Sequence, residues 1–182
     1  HGDADHAGNA LSLLEQMPIS SIYMNRNMKN TLEKNIENFY SQKIVSTLSS
    51  SSFQIDDFTV KQFSDENDAS LILKFSIYGQ SFLMTGDISK NVEQKILDLP
   101  LQSVVLKVAH HGSNTSTHES FLKRVQPSYA IISVGQDNRY GHPSKETIRR
   151  LEKMNIPYFL TSRDKTIWFE ISPSWMKMYY LH

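Results

Sequence analysis

The chain has no cysteine. That absence excludes a disulfide framework, thiolate metal sites and a cysteine nucleophile. It fits a reducing compartment without requiring one. Net charge is absent too, because 19 Lys and Arg balance 19 Asp and Glu. No bulk positive field would therefore pull the whole molecule onto nucleic acid or an acidic membrane, although a local basic groove remains allowed. No apolar run approaches the roughly 20 residues that a membrane helix needs, and no stretch is built like a secretory leader. Internal repeats are lacking as well. What is present is 182 residues with 39% apolar and 10% aromatic side chains, enough for one globular domain with a hydrophobic core.

Strand-like and helix-like pieces alternate along the chain. Apolar periodicity predicts helices over 10–16, 31–48, 91–97, 117–125 and 144–154, the last capped by Ser144. Strands are expected over 20–25, 58–63, 70–79, 80–86, 103–109, 128–135, 158–162 and 166–172, with a loop at 49–52 and a polar turn at 64–68. Gly79-Gln80 marks a hairpin. The stretch SVVLKVA (103–109) is nearly all apolar, as a strand buried on both faces is. The expected class is α/β, with sheets covered by helices. Residues 1–172 form the expected domain and 173–182 a peripheral tail.

The chemically versatile side chains fall at the ends of predicted strands or at the start. They are HGDADH (1–6), TGD (85–87), HHGS (110–113) and GHP (141–143). Loops at strand ends of an α/β sheet converge on one edge, where sites are built. Imidazole and carboxylate are ligands for Zn²⁺ or Mn²⁺. In an extended or looped HGDADH, His1 and Asp3 point the same way, while Asp5 and His6 need a turn to share an ion. Asp87 is placed to bridge two ions, and His110 or His111 to complete the shell while the other donates a proton. Taken singly, each motif has a plainer reading: a solvated N-terminal turn, a turn aspartate, two loop histidines, a structural His142. His118 and His182 read as surface and terminal residues. The four motifs together are far more specific than any one of them.

In that order and spacing, the motifs resemble the metallo-β-lactamase superfold, and within it the C-terminal hydrolase domain of ComEC-type DNA-internalisation proteins. HGDADHAGN resembles the H-x-D-x-D-H-x-G motif of that branch, with Asp3 where the wider family has a second His. NDASLILKF, FLMTGD, LKVAHHGSNTS, ISVGQDNRYGHP and TSRDKTIWF resemble its successive blocks, so the likeness runs over about residues 1–170. It implies an αββα sandwich whose N-terminal portion is missing here, the chain being a fragment that starts at its own motif. It also implies two divalent metal ions, zinc or manganese, with one site weak because no His precedes Asp87 after His6. The implied ligands are His1, Asp3, Asp5, His6, Asp87 and His111, and the implied catalytic residues are Asp5, His110 and His142. Asn67, Ser70, Lys107, Ser113 and Arg139 are the candidate substrate contacts. Lys145, Arg149 and Arg150 could help track a nucleic-acid backbone.

The function implied by the resemblance is a phosphodiesterase that degrades one DNA strand during uptake for transformation. DNA, single-stranded in particular, is the implied partner, and the parent is a bacterial cell-membrane protein of which this is a soluble domain. Two other readings stay open: a small-molecule hydrolase cleaving a lactam, thioester or phosphorylcholine ester, and a non-catalytic DNA-binding or structural remnant.

Overall fold

The computed structural model describes residues 1–24, 30–45, 54–59 and 65–181. Parts of three expected elements lie outside these residues: the end of the strand over 20–25, the end of the helix over 31–48 and most of the strand over 58–63. The loop at 49–52 lies outside them too. In chain order the helices are α1 (Ala4–Ala7), α2 (Ala10–Gln16), α3 (Thr31–Tyr40), α4 (Lys90–Lys95), α5 (Glu119–Val125), α6 (Lys145–Lys153) and α7 (Thr161–Asp164). The strands are β1 (Gln54–Asp57), β2 (Leu73–Ile77), β3 (Gln80–Met84), β4 (Val105–Lys107), β5 (Tyr129–Ile132), β6 (Tyr158–Leu160), β7 (Ile167–Ile171) and β8 (Met176–Tyr180). Among the described residues no helix is long and apolar enough to cross a membrane.

One sheet has the order β1-β2-β3-β4-β5-β6, antiparallel through β3 and parallel from β3 to β6. The hairpin between β2 and β3 turns at Tyr78-Gly79, where both residues have positive φ, 48° and 79°. Such a turn tolerates glycine best. Pleating sends alternate residues to opposite faces. Leu83, Leu106 and Ala130, paired side by side, point to one face and are fully buried. Against them pack Val92 and Ile96 near or in α4, Phe121, Leu122 and Val125 of α5, and Leu151 of α6. Each such large apolar side chain removed from water contributes about 1.5–3 kcal/mol.

The neighbouring row, Phe82, Val105 and Tyr129, points the other way. There the rings of Phe82 and Tyr129 meet Phe169 of β7 at centroid distances of 5.5 and 6.2 Å. Phe159 of β6 meets Tyr180 of β8 at 5.4 Å. The layers are thus helices, a six-stranded sheet and a two-stranded sheet, in keeping with the expected α/β class and sandwich. Residues 173–182, expected as a tail, contain β8, which pairs antiparallel with β7 over its whole length.

A second, smaller cluster buries Leu14, Met24 and Ile36 beneath α2 and α3. The α3 end is fixed by reciprocal bonds: the Glu33 N–H donates to Asn30 Oδ1 at 3.1 Å and the Asn30 N–H to Glu33 Oε2 at 3.0 Å. The helix stops at Tyr40, short of the expected end, because Ile44 forms a bridge with Ile22. A strand is observed at Gln54–Asp57, paired with β2; of the strand expected over 58–63 only Phe58 and Thr59 are described, and neither is in a strand. The strand expected over 158–162 ends at Leu160, and Thr161 opens α7.

Candidate metal centre

The four parallel strands deliver their carboxyl ends to one edge, as open α/β sheets do at their sites. Asp87 follows β3, His110 and His111 follow β4, and Asn138 to His142 follow β5. The N-terminal segment lies across this edge. HGDADH is not extended there: α1 begins at Ala4, and its turn brings Asp5 and His6 round together. His1 and Asp3 still point the same way, Nδ1 to Oδ2 at 3.5 Å.

Asp87 is the hub. Its Oδ2 lies 3.5 Å from His1 Nε2 and 3.4 Å from His111 Nε2, and its Oδ1 lies 3.2 Å from His6 Nε2. His111 Nε2 is also 3.3 Å from Asp5 Oδ2 and 3.2 Å from His6 Nε2. Two ligand groups emerge, His1–His6–Asp87 and Asp5–His6–His111, each with its atoms within 4.8 Å of one another. Burial pushes the Asp87 carboxyl up, but contacts from His1, His111 and His6 and the His6 charge overrule it and hold the group well below the usual carboxylate range. The Asp87 contact raises His111, against burial. His1 is likewise raised, burial being outweighed by Asp87 and Asp3.

This set fits a divalent ion on its own terms. Both ring nitrogens of His1 and Oδ1 of Asp87 are buried without a hydrogen-bond partner, which is costly unless something else satisfies them. The tautomer of His111 is set as well. Its Nδ1 lies 2.7 Å from the Ser133 carbonyl oxygen, which can only accept. Nδ1 therefore carries the hydrogen, and in the neutral ring Nε2 turns its lone pair toward the acids, the arrangement that a metal-ligating imidazole uses.

The HHGS turn owes its shape to backbone that few residues adopt. His110 and His111 have φ of 49° and 51°, and Gly112 has 84°. The surroundings over-determine it: the His110 N–H donates to Gly86 O at 3.1 Å, and the Ser144 N–H to Gly112 O at 2.9 Å. A Cβ on Gly112 would lie 2.6 Å from Pro143 Cβ. Gly112→Ala should therefore cost about 2 kcal/mol from overpacking and positive φ and pry the HHGS and GHP turns apart. An unchanged melting temperature would refute this.

The other expected residues fall into two groups. His110 turns toward His142, ring centroids 5.7 Å apart. His142 is lowered by burial and by the charges of His110 and His111. With Asp3, Asp5, Asn67, Asp87, His111 and Tyr140 they line a cleft of about 580 Å³. Lys107 lies beside Asp87, 15% exposed, its Nζ 3.8 Å from Asp87 Oδ1, and burial lowers its pKa. Ser70 and Ser113, expected among the substrate contacts, are both buried. Ser70 is fully buried and its hydroxyl accepts from the Asp87 N–H at 3.0 Å. Ser113 is 4% exposed and shares its hydroxyl with Thr115. Arg139 is exposed and lies over the Tyr140 ring. Arg150 does not face outward to a polymer. It donates to Ser116 O at 2.7 Å and Asn114 O at 3.3 Å.

Two further acids shape the site: Asp68, which stands with Asn67 and Ser70 as a polar candidate where the His before Asp87 is absent, and Glu93, which sequence reasoning passed over. Asp68 accepts from the Ser89 N–H at 2.8 Å and the Ser89 hydroxyl at 3.1 Å, bracing the loop after Asp87. Glu93, 1% exposed, accepts from the backbone N–H groups of Thr117 and His118, so it anchors the segment leaving HHGS. Burial pushes Glu93 up to about 7. His118, expected on the surface, is half-buried against it. A single acid in an amphipathic helix carries no pattern that would have marked it.

The family model for the metallo-beta-lactamase superfamily matches residues 1–136. The chain belongs to that superfamily. Its members typically bind divalent metals, usually zinc, and the donor set around Asp87 is of the type they need. Curated relatives include ComE operon protein 3 of Bacillus subtilis, 39% identical over 104 residues, covering 56% of this chain and 13% of that protein. Competence protein ComA of Neisseria gonorrhoeae is 33% identical over 116 residues, 62% of this chain and 17% of that protein. Recombination protein 2 of Haemophilus influenzae is 30% identical over 153 residues, 84% and 19%. The chain thus spans less than a fifth of the length of these relatives. The ComEC-type resemblance of the motifs meets relatives named for competence and recombination.

Proposed function

We propose that this domain is a metal-dependent phosphodiesterase that degrades one strand of DNA during uptake. The observation that carries the reading is the convergence of His1, Asp3, Asp5, His6, Asp87 and His111 on one edge of the sheet, beside an open cleft lined by His110 and His142, with Lys107 against Asp87. The names of the competence relatives support the DNA context, and the same likeness supports a bacterial membrane protein as the parent.

Two ions, zinc or manganese, fit the two ligand groups. The His1–His6–Asp87 and Asp5–His6–His111 groups share His6, whose Nε2 can serve one ion only, so one of the two sites would be the weaker. Bound metal supplies Lewis acidity and a nucleophile at neutral pH. The chain's own residues do the rest. Lys107 and Arg139 meet the phosphodiester's negative charge. His110 and His142, facing each other over the cleft, hold the proton that the leaving oxygen takes up. An arriving phosphate anion offsets the charge repulsion that lowers His142. Asp5, 65% exposed beside His111, faces the attacking side.

The test is hydrolysis by the metal-loaded domain of a labelled single-stranded oligonucleotide, run against duplex DNA, RNA, a β-lactam, a thioester and a phosphorylcholine ester. Metal-dependent cutting of the single strand is expected, with only a shallow loss on raising salt, because Lys107 and Arg139 neutralise few phosphates. Turnover of a small ester or lactam with DNA left intact would replace the reading with a small-molecule hydrolase. Metal bound with no hydrolysis of any of them would leave a binding remnant.

A further inference from the structure

We infer that Tyr140 is a stacking platform for a nucleobase, a subsite contiguous with the chemical centre; the inference rests on the nucleic-acid reading above. Rings run in an unbroken row from outside to inside. Tyr140 lies 5.9 Å from His142, stacked at 21°, and His142 lies 5.7 Å from His110. His110 is 6.4 Å from His111, His111 5.2 Å from His6, and His6 4.1 Å from His1. The inner rings belong to the site. The outermost one, Tyr140, lines the same cleft yet is 66% exposed.

The ring is held in place rather than left to wander. Asn138 clamps its loop from both sides: the amide donates to His142 O at 2.7 Å and to Gly135 O at 3.0 Å, while its Oδ1 accepts from the His142 N–H at 2.8 Å. The Tyr140 hydroxyl accepts from Arg139 Nη2 at 2.7 Å, and the guanidinium carbon lies 4.9 Å from the ring centroid. A solvent-facing aromatic with an exposed cation beside it matches what a single strand presents, a flat base next to a phosphate. Every base has a π-face, so the contact tolerates any sequence. When a base arrives, the exposed Arg139 side chain can leave the ring for the adjoining phosphate.

The test compares a fluorescein-labelled single-stranded oligonucleotide with the same backbone carrying a run of abasic residues. Binding is read by anisotropy, and KM and kcat are read separately with metal. The wild-type domain should bind the base-bearing strand on the order of tenfold more tightly, with the difference in KM rather than kcat. Tyr140→Leu should erase that preference, and Tyr140→Phe should keep it. Equal binding of the two strands by the wild type, or a preference that survives Tyr140→Leu, overturns the inference. Failure of the broader reading looks different: the wild type then cuts neither strand, whatever it binds.

Discussion

Asp87→Ala should remove metal binding and hydrolysis together. Among the described residues no other side chain touches three of the candidate histidines, and the backbone N–H of Asp87 is tied to Ser70, so the carboxylate is both ligand and fixed point. Outer partners of metal ligands are worth about 10–100-fold in affinity; loss of the shared ligand should exceed that range. The metal-free fold should suffer too. Breaking a buried charge pair by deleting one partner costs about 3–5 kcal/mol, and Lys107 would be left buried without the counter-charge of Asp87. Metal content after dialysis, cleavage rate and thermal midpoint read the three effects. Asp87→Asn keeps the volume and the Ser70 contact while removing the charge, so it should lose metal with less disturbance of the core. An Asp87→Ala protein that holds metal and cuts at the wild-type rate would sink the assignment.

The adjacent histidines should separate cleanly. His111→Ala removes a ring whose Nε2 lies within 3.4 Å of Asp5, His6 and Asp87, so metal content and rate should fall together. His110→Ala removes a ring that faces His142 instead, so metal should stay and the rate should drop by about 10²–10⁴, the range for a lost proton donor. Substrates with a better leaving group should recover much of the His110→Ala loss and none of the His111→Ala loss. If both variants keep their metal, or both lose it, the division of labour is wrong.

The place of the candidate site in the fold was legible because ligand types stand out against apolar runs. Strand-end positions of Asp87, His110 and His142 follow from apolar runs that stop where a ligand type begins. Ser144 is readable as a cap, and in the structure its hydroxyl accepts from the Thr147 N–H at 3.2 Å. What was not legible depends on three-dimensional neighbours. Ser70 and Ser113 look like site residues in sequence, since they stand among site residues, but each hydroxyl is spent on shaping a turn. The helical turn at Ala4–Ala7 is too short for periodicity to announce. β8 escaped notice because its alternation is blurred by aromatic residues on both faces, and only β7 gives it a partner.

The small cluster of Leu14, Met24 and Ile36 has a further consequence. The segment bearing His1, Asp3, Asp5 and His6 adjoins that cluster, and Gly2 lies against Asn30 at the start of α3. Asp87 and His111 stand on the large core. Half the site is therefore moored to the lighter part of the molecule, and opening of that part costs less than melting the sheet. As the domain is warmed, catalysis would fade as an early, reversible undocking. Its N-terminal amides would exchange with solvent while β3, β4 and β5 remained protected.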